Sequence, residues 1–237
     1  MIELDSLTVS LGSFTLGPLG GTFGARSLAI VGEAQSGKTT LLKALCGLNE
    51  ASSGTVVVDG QRLTGASNLE RSAIRAKFGM VFQNDALFDS LDALNNVGLP
   101  LLRRGIPRDE ARERAREALA QVGLAGQERT LPERLSGGMR KRLGLARAIV
   151  ARPAYLLADD LLAGLDPATS HRVLELVFGL WAGRGGLIVA AADPSPFWSR
   201  CEEVLVLGHG KVLCRGPAND VRHEPRVEAL FGGEDAA

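Results

Sequence analysis

Gly32-Glu33-Ala34-Gln35-Ser36-Gly37-Lys38-Thr39-Thr40 follows directly on the apolar run Ser27 to Val31 and opens a helical pattern that continues through Leu45 until Gly47 can stop it. Strand, glycine loop and helix in that order, with the spacing Gly-x-x-x-x-Gly-Lys-Thr, are what a nucleoside triphosphate needs. Successive backbone N–H groups and the helix N-terminus surround phosphate oxygens, and no bulky side chain stands in the way. Lys38 supplies a mobile cation for the β and γ phosphates, and the Thr39 hydroxyl supplies a ligand for Mg²⁺. A chance glycine turn before a helix does not require the lysine and the hydroxyl at these two places. Gly32 through Thr40 are therefore the candidate ATP-binding residues.

Working outward, Leu4 to Val9 reads as a strand, as do Val56 to Val58 before the Asp59-Gly60 turn and Met80 to Phe82 before Gln83. From Leu91 to Leu135 the pattern is helical. Pro107-Arg108-Asp109-Glu110 opens a segment whose Ala111, Ala115, Ala118, Leu119 and Val122 share one face before Gly123 ends it. The α/β rhythm then returns: a helix over Gly138 to Val150, a strand over Tyr155 to Ala158, a helix from Pro167 and a strand over Leu187 to Ala191. A terminal hairpin is predicted at Val204 to Cys214, turning at Gly208-His209-Gly210, with one short helix over Pro217 to Phe231 after it. The expected organisation is one domain over 1–232, with a helical subdomain inserted at about 88–150, and a frayed tail over 233–237.

The chain has 237 residues, enough for one large α/β domain and too few for two full-sized ones. Its 27 basic residues balance 27 acidic ones, which removes global attraction to nucleic acid as an argument, so no nucleic-acid partner is expected. No window reaches the 18 apolar residues of a membrane span, so a channel or permease is excluded for this sequence alone. Cys46, Cys201 and Cys214 are three, widely spaced, and form no Cys-x-x-Cys pair; a disulfide framework is not suggested. Met1 to Asp5 lacks the basic and apolar segments of a secretory signal.

In this nucleotide-loop class a carboxylate that holds Mg²⁺ follows a buried strand, and Leu156-Leu157-Ala158-Asp159-Asp160 supplies Asp159 there. Asp160 is a second carboxylate, either part of the chemistry or a plain strand terminator and turn cap. Leu135-Ser136-Gly137-Gly138-Met139-Arg140-Lys141-Arg142 is the decisive second signal. Taken alone, Ser136 would cap a helix and the glycines would let backbones pack closely. Together with the phosphate loop, the sequence resembles the ATP-binding subunits of ABC transporters over about residues 1–220.

That resemblance implies an α/β fold, a P-loop NTPase of the ABC ATPase type with an antiparallel N-terminal β subdomain and an inserted helical subdomain. It implies ATP and Mg²⁺ as cofactors, with Thr39, Gln83 and Asp159 at the metal and Lys38, Gln83 and Asp160 in phosphoryl transfer to water. It also implies a head-to-tail pair of ATPase subunits, homodimeric or heterodimeric. In such a pair Leu135, Ser136, Gly137, Gly138 and Met139 face the opposite subunit's ATP, and Ala163-Gly164-Leu165-Asp166 forms a dimer-contacting loop. The stretch Gly79 to Leu91, the following Asn96-Val97-Gly98-Leu99-Pro100-Leu101 and the Met-Arg-Lys-Arg end of the signature look like the lipid-transporting MlaF/Mkl-type branch, which serves Mce-linked phospholipid systems. Integral-membrane permease subunits and an Mce-type lipid-binding protein are the partners this implies, with the chain peripheral at the cytoplasmic face of the inner or plasma membrane. The leucines and phenylalanines near Gln83 either pack the helical insert or receive a permease segment as well.

Four places depart from the family pattern. Asp160 stands where a glutamate is usual, one methylene shorter, and Ala192 stands where the switch histidine is expected. Leu161-Leu162 replaces Pro-Thr, although Asp166-Pro167 is retained. The adenine-stacking aromatic falls on Leu11, with Phe14 as the nearby substitute. The three histidines, His171, His209 and His223, all lie elsewhere. The expectation is an ATP-binding transporter subunit whose own site hydrolyses slowly. The competing class is a soluble ABC-type ATP switch that regulates or assembles another protein without transport.

Overall fold

In the computed structural model, residues 1–24 and 26–231 are described, so the tail expected at 233–237 lies outside them. Two compact units divide the chain: residues 1–77 with 186–237, and residues 78–185.

The first unit begins with an antiparallel sheet in the order β2-β1-β4-β5, made of β1 (Ile2–Leu11), β2 (Phe14–Phe23), β4 (Ser53–Val58) and β5 (Gln61–Arg62). In β1 Ile2, Leu4, Leu7 and Val9 are buried, a period of two that slips once at the bulge between Leu4 and Leu7, as in a sheet with one covered face. β2 was not expected from the sequence. It contains Gly17, Pro18, Gly20 and Gly21, yet Pro is tolerated on an edge strand, and β2 is the edge here. Beside this sheet runs β3 (Ser27–Val31), buried almost throughout, parallel to β8 (Gly186–Ala191) and to β9 (Glu203–Gly208). β9 turns back into β10 (Lys211–Pro217) through His209 and Gly210, both at positive φ, as a two-residue hairpin turn demands.

Between these strands lie α1 (Lys38–Leu45), which buries Leu41, Leu42, Ala44 and Leu45, and α2 (Asn68–Arg75). Ser67 and Glu70 close a reciprocal capping box at the start of α2, the Ser-x-x-Glu pattern of a helix N-terminus. The single helix expected over Pro217 to Phe231 is instead the end of β10 followed by α7 (Ala218–Arg222) and α8 (Pro225–Phe231). Glu224 precedes a proline, and that steric clash drives its backbone out of the helical region.

The second unit pairs β6 (Phe78–Val81) in parallel with β7 (Tyr155–Asp159), every residue of which is buried. The helices α3 (Ala93–Arg103), α4 (Arg108–Gln121) and α5 (Gly137–Ile149) pack on one another, and α6 (Pro167–Trp181) packs on α5. The apolar face read from the sequence on α4 is the buried one: Ala111, Ala115, Ala118 and Leu119, with Val122 just beyond. Gly79 permits the close approach of α5 to β6, because a Cβ there would stand 2.3 Å from the Ala148 carbonyl oxygen. No helix among the described residues is long and apolar enough to cross a membrane.

The three thiols are free, and burial is the largest influence on each. It pushes Cys46 up to about 11 and Cys201 up to about 12, and raises the half-buried Cys214 as well. A raised pKa leaves less thiolate, so at pH 8 Cys46 is ionised to roughly one part in a thousand. A disulfide reagent at that pH is expected to titrate Cys214 alone in the native protein and all three thiols in denaturant. Rapid native reaction of three thiols would contradict the burial.

Candidate functional site

The parallel strand β3 ends at Val31, and its last residues carry no free volume, so the chain must leave the sheet sharply. Gly32 makes that exit. A Cβ there would stand 2.2 Å from the Leu207 carbonyl oxygen and 2.7 Å from Ser36 Oγ. At the other end Gly37, at φ 107, caps α1 with backbone only: no side chain accepts from the first N–H groups, and no acidic residue lies in the first turn. Those donors, together with the positive end of the helix, are the elements of an anion site. A Cβ on Gly37 would meet Leu16 Cδ1 at 2.9 Å and Phe14 Cζ at 3.0 Å, so Phe14 does lie against the loop, whereas Leu11 is 48% exposed.

Lys38 folds back over this loop, its Nζ donating to the carbonyls of Gly32 at 2.6 Å and Glu33 at 2.7 Å. The charge is thereby held over the loop rather than in solvent. Thr39 follows, half-buried, and Glu33, Ala34 and Gln35 form the exposed rim. Gln35 adopts φ 64, so the loop bends tightly without a glycine there. Ser36 is buried, and its Oγ has no hydrogen-bond partner among the described residues. Its carbonyl accepts from Gly210 N at 3.1 Å, and Gly17 N donates to the Gly210 carbonyl at 2.7 Å, so the terminal hairpin turn braces the loop from behind. An orphaned buried hydroxyl, uncapped amides and a lysine over the loop fit a polyphosphate, which supplies the missing acceptors. Ala192 follows β8 immediately; with Ala191 opposite Val31, the register carries it to the level of Gly32, and its methyl offers no hydrogen bond.

In the second unit β7 delivers Asp159, 3% exposed, at its C-terminal end. A carboxylate at the end of a buried strand is the kind of oxygen ligand a divalent cation takes. Asp160 follows at φ 48, a left-handed conformation that turns its carboxylate away from the strand. Gln83, just past β6, donates from Nε2 to Asp160 Oδ2 at 2.9 Å. Two residues 77 positions apart, each singled out separately from the sequence, are thus joined directly.

The signature segment begins α5. Ser136 caps it by accepting from Met139 N at 3.3 Å, and Arg140 donates to the Leu135 carbonyl at 2.7 Å. The glycines allow close packing: a Cβ on Gly138 would stand 2.6 Å from Thr169 Cγ2, and one on Gly137 would stand 3.7 Å from Leu165 Cδ2. Signature and dimer loop are therefore neighbours within one unit. Asp166 caps α6, accepting from Thr169 N at 2.9 Å and Thr169 Oγ1 at 2.6 Å, and these hydrogen bonds, the side-chain one foremost, hold its carboxyl below the usual range. Ala163 N donates to the Asp160 carbonyl at 3.1 Å, and Gly164 turns the loop at φ 74.

Sequence reasoning missed what holds Gln83. Lys141, only 4% exposed, donates from Nζ to the Gln83 carbonyl and lies 3.1 Å from Asp85 Oδ1. Arg147 donates to the carbonyls of Asp85 and Ala86, both at 2.6 Å. Burial pulls the Arg147 guanidinium below its ordinary pKa range, and the Asp85 charge opposes this. Both Asp85 and Ala86 take positive φ, at 54 and 48. Nothing in the residue pattern signals a loop this contorted, since neither is a glycine. Farther along, Asn96 Nδ2 donates to the carbonyls of Phe88, Leu91 and Asp92, and its Oδ1 accepts from Phe88 N at 2.8 Å. Phe88 itself is 42% exposed.

Residues 24–163 match the family described as ABC transporter. The methionine import ATP-binding protein MetN 2 of Rhodococcus jostii is 38% identical over 201 residues, which are 84% of this chain and 59% of that protein. The chain thus spans about six-tenths of the length of that relative. The lipoprotein-releasing system ATP-binding protein LolD of Bordetella pertussis is 42% identical over 186 residues, 78% of this chain and 80% of that protein. Among solved structures, the dimeric post-hydrolysis ATP-binding cassette MJ0796 bound to ADP and Pi superposes with a TM-score of 0.83 at 28% identity, over 92% of this chain and 99% of that one. CbiO1 of Clostridium perfringens, part of the transporter complex cbiONQ, gives 0.83 at 26%, over 96% and 92%.

Two substitutions test the site. Gly32→Ala is expected to weaken binding of a fluorescent ATP analogue by about tenfold or more, because the methyl collides with the Leu207 carbonyl and displaces Ser36. Retained affinity would mean the loop has room it does not show. Asn96→Leu leaves the Phe88 amide and the Phe88 and Leu91 carbonyls without their buried partner, and should lower unfolding free energy in urea by about 3 kcal/mol.

Proposed function

Since the chain belongs to the ABC transporter family, we propose that it is the ATP-binding subunit of a membrane transporter, coupling Mg-ATP binding and hydrolysis to the movement of a lipid cargo. The observation that carries this reading is the uncapped, lysine-covered loop at the start of α1, which fits a polyphosphate and little else. It is supported by the buried Asp159 and by the Gln83–Asp160 pair beside it in sequence.

The residues take the following roles. The loop N–H groups from Gly32 to Thr40 and Lys38 stabilise the phosphate charge, which spreads as the γ-phosphoryl group leaves. Thr39 and Asp159 would hold Mg²⁺, with Gln83 as a further ligand, and the metal would supply positive charge against the phosphate charge. Asp160 orients the attacking water, and Phe14 is the aromatic for adenine. Ser136, Gly137 and Gly138 serve the ATP of a second ATPase subunit across a head-to-tail interface that Ala163 to Asp166 helps to form; MJ0796 is a dimeric cassette of the same fold.

The own-site chemistry is weakened. Asp160 is one methylene short of a glutamate and already engaged by Gln83, and a misplacement near 1 Å costs roughly 10²-fold in rate. Ala192 offers no imidazole to the γ-phosphate. An asymmetric heterodimer suits these departures, since this chain keeps a complete signature to lend to a fully equipped partner. A homodimer would carry two altered sites.

The lipid cargo rests on the wording around Gln83 and on Met139-Arg140-Lys141-Arg142. It is also supported by LolD, whose name gives a lipoprotein-releasing system, while MetN is named for methionine import. Phe88, exposed just after the Gln83 loop, is the apolar contact offered to an integral-membrane permease at the cytoplasmic face. An Mce-type lipid-binding protein completes the proposed assembly.

Turnover of the chain alone and of the complex recovered from detergent-solubilised membranes tests the reading, with the bound lipids identified by mass spectrometry. Asp160→Glu combined with Ala192→His is expected to raise own-site turnover by about tenfold or more. Brisk turnover by the unaltered chain, lost on Asp160→Asn, would sink the slow-site proposal, and a complex that carries methionine and no lipid would sink the cargo.

A further inference from the structure

The Gln83 side chain is exposed, yet its amide meets Asp160 at a defined 2.9 Å. A solvent-facing glutamine on a loop would ordinarily sample many rotamers, so something must place its backbone. The only buried cation of α5 does so. Lys141 sends its ammonium inward to the Gln83 carbonyl and to Asp85, while Arg147, six residues farther along the helix, takes the carbonyls of Asp85 and Ala86. Arg140 also approaches Asp85, at 3.8 Å. Three carbonyls of a four-residue loop are thus held by two cations of one helix. That helix is the one whose N-terminus carries Ser136, Gly137 and Gly138.

We propose that Lys141 is a positioning residue for hydrolysis: it fixes the backbone of Gln83, and through Gln83 the Asp160 carboxylate, so that the signature helix and the water-orienting pair move as one body. This rests on the ATPase reading above. Lys141 touches neither nucleotide nor water; it acts by denying Gln83 its alternative backbone positions. The arrangement also links the two sites a subunit serves. A displacement of α5 on engaging the opposite subunit's ATP is carried by Lys141 and Arg147 to Gln83, hence to the subunit's own Asp160.

The test needs a variant that separates tether from stability. Lys141→Met alone leaves the half-buried Asp85 with only Arg140, at 3.8 Å, and the Arg147 charge nearby, whereas Lys141→Met with Asp85→Leu removes the ion pair together and keeps the net charge. The side-chain amide resonance of Gln83, assigned by its loss in Gln83→Ala, is followed in the full chain. Asp160→Ala should move it toward the position of a free amide, and the charge-neutral double variant should move it the same way. Hydrolysis at this chain's own site, measured as turnover of the full chain alone, should fall about tenfold or more in kcat, with KM for ATP changed less than about twofold, and adding Gln83→Ala should cost nothing further. An unmoved Gln83 resonance in the folded double variant overturns the proposal, as does a fully additive loss with Gln83→Ala. If the unaltered chain proves unable to hydrolyse ATP while the resonance still moves, the positioning by Lys141 stands and the hydrolytic reading falls.

Discussion

The first turn of α1 has no side-chain cap, and much of the first unit serves to keep it that way. A helix N-terminus exposes amides that normally find a serine or aspartate within a residue or two. Here the cap position is Gly37, and no acidic side chain lies nearby in the turn. The vacancy is maintained by packing rather than by chance. Phe14 and Leu16 close over Gly37, the His209-Gly210 turn holds the Ser36 carbonyl, and Leu207 presses on Gly32. Each of these neighbours occupies space that a larger loop residue would need. The loop therefore stays open to phosphate oxygens and closed to its own side chains, with the Lys38 ammonium laid over it.

The second unit solves a different problem, that of holding polar groups steady at the edge of solvent. Asp159 is fixed by burial at the end of β7, but Gln83 and Asp160 are not. Their order comes from hydrogen bonds that run in series: α5 to the loop, the loop to Gln83, Gln83 to Asp160. Two consecutive non-glycine residues in the left-handed region, at a cost of order 1–3 kcal/mol each, persist because the half-buried Arg147 guanidinium takes both their carbonyls. Breaking such a buried pair from one side costs about 3–5 kcal/mol, which is ample to hold the contorted loop. The same chain of bonds restrains the shortened carboxylate at 160.

Asp160 and Ala192 acquire a common sense in this light. On the proposed reading, one shortens the group that orients water and the other removes the group that would touch the γ-phosphate, while the loop amides, Lys38 and the orphaned Ser36 hydroxyl remain in place for phosphate. That pattern would lower rate more than affinity, which suits the proposed subunit whose nucleotide acts chiefly as a clamp; the glycines at 137 and 138 pack against Leu165 and Thr169.

The phosphate loop, the signature, the metal-side carboxylate and the α/β order were all legible in the residues, because each depends on local backbone requirements: glycine where no Cβ fits, lysine and threonine at set intervals, apolar runs of strand length. The departures at 160 and 192 were legible for the same reason. The edge strand β2 was hidden by its glycines and proline, whereas the break between α7 and α8 falls at a mark the sequence does carry, Pro225. What no local pattern could disclose is that Gln83 bonds to Asp160, or that Lys141 and Arg147 hold the loop between them, since residues 58 and 62 positions apart meet only once α5 has packed on β6. The sequence alone determined which chemistry the chain is equipped for; the tertiary structure decided which groups are held still enough to perform it, because long-range packing, not residue type, sets the position of a side chain at the surface.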